Sequence, residues 1–342
     1  MMRIGIVGLP NAGKSTLFNA LTQAAAEVGE YPFTTIDPNV AIVEVPDERL
    51  DALFELFAPK AEVRERIEFV DIAGLVRGAH EGEGLGNRFL GHIREVDAIL
   101  HVVRAFEHPN VAHPHGEIDP LADVEAVDAE LLLADLESAR ARLEKAGKAA
   151  KSGDKQAIAD AELCRGAVAE LEAGRRAPRE ADLLTSKPAL VVANVTEGDE
   201  VPPELRDLGA IAIGARDEAE LAELEPTEAE SMRAELGIAA GALERLIAAA
   251  YSVLDLITFF TVAADNKEVR AWSVPAGAKA PEAAGRIHTD MQQGFVRAEA
   301  IAWDELVAAG SFAAARDQGK LRSEGKDYAV RDGDVLTIKF TG

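Results

Sequence analysis

The chain has 342 residues and a formal net charge of -24, from 36 lysines and arginines against 60 aspartates and glutamates. Two or three folding units are expected at that length, and the charge excludes passive attraction of the whole surface to nucleic acid or anionic lipid, so no DNA partner is expected and any RNA contact must be local. The lone cysteine, Cys164, cannot close an intramolecular disulfide, no Cys/His cluster has zinc-ligand spacing, and the lack of an apolar run of about 18 residues or of a signal-peptide core gives the expectation of a cytoplasmic protein with no membrane partner.

The first strand-like run, Ile4 to Val7, leads into GLPNAGKST, Gly8 to Thr16, and then into Leu17-Phe18-Asn19-Ala20-Leu21. The motif fits G-x-x-x-x-G-K-[ST] in a strand–loop–helix context, so Asn11, Ala12, Gly13, Lys14, Ser15 and Thr16 are candidates to cradle phosphate. Glycines let backbone N–H groups turn inward, the helix start faces the anion, Lys14 bridges phosphate oxygens, and the Ser15 hydroxyl is placed to ligate Mg²⁺. A Gly-rich turn without a ligand is the plainer alternative.

Next comes Tyr31-Pro32-Phe33-Thr34-Thr35-Ile36-Asp37-Pro38-Asn39, either a Pro-flanked turn or a loop whose Thr35 hydroxyl completes the Mg²⁺ shell. The run Ile67 to Val70 then enters Asp71-Ile72-Ala73-Gly74. There Asp71 is placed to hold Mg²⁺ through its water, and the Gly74 N–H to reach a γ-phosphate; alone, a D-x-x-G is usually a turn. The following LVRGAHEGEGLGNRF is rich in glycine, which predicts a mobile loop. It also carries Leu75 where signalling GTPases place a water-orienting glutamine.

After a third run, Ala98 to Val103, the pattern changes. Leu132, Leu136, Ala139, Leu143 and Ala146 repeat at steps of four and three, a polar turn follows at 151–155, and Ala157, Ala161, Cys164, Val168 and Leu171 repeat the same steps. This predicts an antiparallel helical hairpin inserted into the domain, with two ordinary surface helices as the alternative. From Arg140 to Glu180 the hairpin holds ten basic and seven acidic residues, a local excess of three positive charges. Lys145, Lys148 and Lys151 are therefore candidates for RNA contact, with Lys320, Arg322 and Lys326 as the other possible surface; solvated helix faces would have the same composition.

The fourth run, Ala189 to Ala193, ends in Asn194-Val195-Thr196-Glu197, where GTPases carry N-K-x-D. The GTPase aspartate accepts two hydrogen bonds from guanine, a geometry that the extra methylene of Glu197 displaces, while an asparagine amide such as that of Asn194 can pair with adenine. A fifth run, Ala210 to Ile213, completes the alternation that predicts a mostly parallel sheet covered by helices. From about Leu256, a strand at Val269–Val274, a helix at Ala283–Asp290 and an alternating strand at Leu336–Phe340 predict a small α+β module.

Taken together, GLPNAGKST, YPFTTIDPN, DIAGLVRGAHEGEGLGNRFL, HIREVDAILHVVRAF and NVTE resemble the Obg-like ATPase (YchF) family of translation-factor P-loop proteins. The stretches KEVRAWSVPAGAKAPEAAGRIHTDMQQGFVRAEAI and EGKDYAVRDGD resemble its ubiquitin-like TGS domain. The resemblance implies an α/β P-loop fold with an inserted helical hairpin. Its boundaries would be 1–125 and 187–255 for the nucleotide-binding domain, 126–186 for the insert and 256–342 for the TGS domain. It also implies a cytosolic enzyme that hydrolyses ATP in preference to GTP and associates with ribosomes. Within that family the element at Asn194 is the altered base reader, with the backbone at Val195 close to the nucleotide. Ala215, in Gly214-Ala215-Arg216, stands at a fifth nucleotide element. Leu75 matches the hydrophobic residue that replaces glutamine, and His113 matches the loop histidine proposed to assist hydrolysis, with His115 two residues away. Asn11 matches an asparagine that related enzymes use to bind K⁺.

Overall fold

The computed structural model describes residues 1–27, 39–72, 85–108, 113, 114, 116–151, 153–196, 198–236, 241–263 and 267–341. Thr35, Gly74, Leu75, His115 and Glu197 lie outside the described residues. The chain forms two compact units, one of residues 1–43 and 67–253, the other of 44–66 and 254–342.

In chain order β1 (Met2–Val7) is followed by α1 (Lys14–Glu27), β2 (Val40–Glu44), α2 (Glu48–Phe57), β3 (Ala61–Val63) and β4 (Arg66–Asp71). Then come α3 (Leu85–Arg94), β5 (Ala98–Ala105), the long α4 (Pro120–Ala150), α5 (Lys155–Glu172), β6 (Ala189–Val195), β7 (Ile211–Ile213), α6 (Ala215–Leu221), α7 (Pro226–Leu236) and α8 (Ala242–Ser252). The first sheet has the order β2-β4-β1-β5-β6-β7. Strand β1 lies parallel between β4 and β5, and β6 is parallel to both β5 and β7. The five predicted strands are all present, the first four extended by a residue or two at their ends and the fifth starting one residue later, at Ile211. Because the central strands are covered on both faces they read as near-continuous apolar runs. Val7, Leu9, Ile72, Ile99, Val127 and Leu131 bury together on one of those faces.

His101 is one of the polar side chains that interrupt that pattern. His101, on β5, is 3% exposed, and burial, with help from the charges of Arg176 and Lys14, pushes its pKa down to about 3. The folded chain therefore refuses a proton that the unfolded chain accepts once the pH falls below about 6.5. Stability attributable to this group is fully present above pH 6.5 and is lost as the pH falls toward 3, by at most about 1.4 kcal/mol per pH unit. Urea unfolding of His101→Leu at pH 7 and pH 5 should show a smaller loss on acidification than the wild type; an equal loss would assign the effect to other groups.

The helical hairpin forms as expected. Ala139, Ala167 and Leu171 bury with Leu132, Leu136 and Val168, and Asp154 caps α5 by accepting from the N–H groups of Gln156 and Ala157. The return segment, 175–186, is tied to α4 by buried Asp135. Its carboxylate accepts from Leu184 N (2.9 Å), Thr185 N (2.7 Å) and Thr185 Oγ1 (2.8 Å). Much of the hairpin's basic charge is met internally: Arg140 pairs with Glu172, Lys148 with Glu144, Arg175 with Glu170, and Arg142 with Asp160.

The second unit continues with β8 (Leu256–Val262), β9 (Glu268–Pro275), α9 (Ala280–Ile287), α10 (Thr289–Gln293), β10 (Phe295–Ala302), α11 (Trp303–Ala309), α12 (Phe312–Asp317), β11 (Arg322–Glu324) and β12 (Asp334–Phe340). Its sheet has the order β11-β10-β12-β8-β9-β3. Residues 44–66 belong here, which corrects the reading of 1–125 as one uninterrupted part of the nucleotide-binding domain. Ala61–Val63 pairs in parallel with Glu268–Arg270, and Leu50 and Leu53 of α2 bury against Phe260, Val269 and Ile301. The predicted helix at Ala283–Asp290 begins earlier, at Ala280. Pro281 suits the first turn, the Lys279 N–H donates to Glu282 at 2.6 Å, and the run stops at His288, which caps α10. Arg322, one of the alternative RNA-facing cations, donates instead to Tyr328 Oη and Asp334 Oδ1, at 3.1 and 3.0 Å. The Tyr328 hydroxyl donates to Asp334 at 2.6 Å, and burial together with that carboxylate pushes its pKa up to about 12.

Candidate nucleotide site

The phosphate loop joins the end of β1 to the start of α1, at the carboxyl edge of the parallel sheet where such folds hold their ligands. Two glycines are required by the geometry. Gly8 has φ +151°, and a Cβ there would stand 2.2 Å from the Val102 carbonyl oxygen; Gly13 has φ +94°, and a Cβ there would stand 2.0 Å from Asn194 Nδ2. Asn11, exposed at the crown of the loop, takes a left-handed conformation with φ 66°. Ala12 is buried, and its N–H donates to the Leu9 carbonyl at 3.3 Å. No acidic residue of α1 itself occupies its first turn, so the carboxylate that faces this helix start is that of Asp71.

Lys14 opens that helix and is 8% exposed, with Nζ donating to the Leu9 carbonyl at 2.9 Å. Burial lowers its pKa, and Asp71 works in the opposite direction. Asp71, at the end of β4, has its carboxyl pKa raised by burial against the opposing pull of Lys14 and of the Ser15 hydroxyl. Ser15 Oγ donates to Asp71 Oδ2 at 3.3 Å. The structure thus brings Lys14, Ser15 and Asp71 to one point, as their spacing implied, while Thr16 sits half-buried one residue further into α1. The Asp71 N–H donates to the Asn39 carbonyl at 2.9 Å, so the residue that ends the Tyr31–Asn39 stretch lies against the carboxylate strand.

The base-recognition element behaves differently from the expectation. Asn194 is 5% exposed; its Nδ2 donates to the Ala12 carbonyl at 2.9 Å and its Oδ1 accepts from the Ala215 N–H at 3.1 Å. Both ends of the amide are engaged with protein, so in this structure Asn194 ties two loops together instead of presenting a free edge to adenine. The same bond takes up the Ala215 N–H, at the fifth nucleotide element. Val195 closes β6 with its side chain buried among Val103, Val124 and Leu205. Two further groups escaped sequence reasoning. Arg104, opposite Asn194 in the β5–β6 register, is 2% exposed, donates from Nε to the Phe106 carbonyl at 3.1 Å and lies 4.7 Å over the Phe106 ring. Its Nη1 has no hydrogen-bond partner among the described residues. Asp123, in the first turn of α4, sits 2.9 Å through Oδ2 from Nε2 of His113. In sequence the first is one basic residue in an apolar run, and the second resembles any acid near a helix start.

Residues 3–138 match a family described as "50S ribosome-binding GTPase", and residues 256–341 match the YchF GTPase C-terminal family, described as "Protein of unknown function". Among curated proteins, the chain is 49% identical to the ribosome-binding ATPase YchF of Bacillus subtilis, with 98% of each chain covered. It is 45% identical to the protein of that name from Escherichia coli O157:H7, with 99% of each covered, and 42% identical to Obg-like ATPase 1 of Oryza sativa, covering 99% of this chain and 92% of the relative. A solved structure of the Schizosaccharomyces pombe YchF GTPase matches with a TM-score of 0.85 at 34% identity, over 99% of this chain and 97% of the other. With motif order, fold and near-full-length identity in agreement, the chain belongs to the YchF/Obg-like ATPase family.

Proposed function

We propose that the chain binds ATP in the Gly8–Thr16 cradle, hydrolyses it to ADP and phosphate, and uses that cycle as a switch on the ribosome. The observation that carries the reading is the convergence of buried Lys14 with the Ser15–Asp71 pair at the open start of α1. That grouping supplies one cation for phosphate oxygens, unpaired N–H groups for the anion, and an oxygen donor set for a hard cation. Mg²⁺ fits these residues: the Ser15 hydroxyl and the Thr35 hydroxyl would hold it, with Asp71 acting through water. When bound, Mg²⁺ would neutralise charge between the outer phosphates. Asn11 would serve a K⁺ activator. Lys14, the loop amides and the Gly74 N–H would stabilise charge on the transferring phosphoryl group. With Leu75 in the glutamine position, His113 would orient the water.

The preference for ATP rests on Glu197, whose length misplaces a guanine acceptor, and on the ATPase names of the curated relatives. The names of the bacterial relatives carry the ribosome role. With Lys148 engaged by Glu144, a local RNA contact through the hairpin falls to Lys145 and Lys151, or in the C-terminal unit to Lys320 and Lys326. The other reading is a binding module that uses ATP only to set its shape. Phosphate release from ATP with Mg²⁺, K⁺ and ribosomes decides between them. Release well beyond one phosphate per chain is expected, whereas none, or a single stoichiometric burst, would overturn the hydrolytic reading.

A further inference from the structure

The strand order β4-β1-β5-β6 sets the nucleotide site out in a row along the carboxyl edge of the first sheet. Asp71 ends β4, Lys14 follows β1, Arg104 is the last residue but one of β5, and Asn194 is the last but one of β6. Neighbouring strands stand about 4.8 Å apart, so three steps from β4 to β6 span about 14 Å. A nucleotide laid along that row, with its outer phosphates at Lys14 and Ser15 and its base toward β6, passes Arg104 in between. Two relations fix Arg104 beside the cradle. It pairs with Asn194 in the β5–β6 register, and residues paired on parallel strands share a face, so it lies on the face where Asn194 Nδ2 reaches the Ala12 carbonyl at 2.9 Å. Two residues earlier on the same strand, the Val102 carbonyl oxygen is the atom that a Cβ at Gly8 would meet, at 2.2 Å.

The guanidinium is short of partners there. The residue is 2% exposed, Nε donates to the Phe106 carbonyl, and the group lies over the Phe106 ring, yet Nη1 is buried with no hydrogen-bond partner. Among the described residues no carboxylate pairs with it. A buried charge without a counter-charge is costly to hold, and a ring face with one neutral carbonyl offsets only part of that cost. Between the outer phosphates and the base a nucleotide offers a neutral ribose and an anionic α-phosphate, and only the second supplies the missing charge. We propose that Arg104 is a nucleotide-binding residue whose Nη1 donates to an oxygen of the α-phosphate. The proposal rests on the reading of Gly8–Thr16 as the phosphate cradle. Because ATP, GTP and ADP all carry that phosphate, the contact adds affinity without choosing the base, and the planar guanidinium suits a phosphate oxygen better than an ammonium would.

The test uses the full-length chain and Arg104→Met, which keeps much of the side-chain volume and removes the charge and its donors. Titration should show ATP, GTP and ADP weakened by one common factor of about tenfold or more. At saturating ATP the ³¹P resonance of the bound α-phosphorus should differ between variant and wild type while the β and γ resonances stay in place. Without nucleotide the variant should be no less stable to urea, since an unpaired buried charge has been removed. A loss confined to ATP would put Arg104 at the base, and a loss for the triphosphates alone would put it at the γ-phosphate; either overturns the proposal. A lower urea midpoint with an unmoved α-phosphorus resonance would make Arg104 a structural residue. If Arg104→Met does not fold, Arg104→Lys, which keeps the charge but not the planar fork, is expected to move the same resonance with a smaller common loss, and an unmoved resonance would again overturn the contact. Failure of the wild type to bind any nucleotide would overturn the cradle reading, whereas lost binding in Lys14→Ala with wild-type binding in Arg104→Met would overturn this proposal alone.

Discussion

Lys14→Ala is expected to weaken ATP binding by at least about a hundredfold while leaving the nucleotide-free protein as stable as the wild type, or more so. The ammonium is already withdrawn from water, at 8% exposure, and its Nζ hydrogen-bonds to a neutral carbonyl. Burial lowers its pKa, which means that the folded state carries the charge at a cost before any phosphate arrives. An incoming triphosphate replaces that carbonyl with anionic oxygens, and each charge-assisted hydrogen bond contributes about 1.5–3 kcal/mol. Two such bonds correspond to about 3–6 kcal/mol, or more than a hundredfold in affinity. Calorimetric titration with ATP and thermal unfolding without nucleotide measure the two halves. A loss of less than fivefold would mean that phosphate binds elsewhere.

The second large effect is expected at Asn194. Removing its amide in Asn194→Ala leaves the Ala12 carbonyl and the Ala215 N–H without their partner, both in a buried setting. Each buried group left unsatisfied costs about 1–3 kcal/mol, so a stability loss of about 2–6 kcal/mol should appear in urea unfolding. Because Ala12 lies within the phosphate loop, nucleotide affinity should fall as well, and for ATP and GTP by similar factors. A loss confined to ATP would show that Asn194 reads the base directly, as its position in the sequence had suggested.

These two residues also illustrate what can be read from sequence and what cannot. Lys14, Ser15 and Asp71 could be identified before any coordinates because phosphate and hard-cation chemistry demands particular residue types at set distances from strand ends. The strands that carry them could be identified for the same reason that buried parallel strands generally can: their apolar runs are nearly unbroken. Asn194 was found, but the two hydrogen bonds its amide makes within the protein were not, since its partners are set by loops nearly two hundred and about twenty residues away in the chain. The placement of Glu44–Arg66 was hidden for a similar reason. Ala61-Glu62-Val63 is too short to show alternation, and the strand that accepts it begins only at Glu268. Asp123 had no local signature at all, because acids are common in first turns and only the folded chain brings His113 to it. Thr35, Gly74 and Glu197, read from the sequence as contacts for metal, phosphate and base, lie outside the described residues.

The names of the relatives divide on one point. The Bacillus subtilis and Oryza sativa proteins are called ATPases, and the Schizosaccharomyces pombe structure is called a GTPase. The measurement that bears most directly on the present account is competition of ATP and GTP for one labelled nucleotide on the full-length chain with Mg²⁺. ATP is expected to bind at least about tenfold more tightly, a difference of about 1.4 kcal/mol that follows from losing the guanine acceptor at Glu197. GTP binding tenfold tighter than ATP would contradict it.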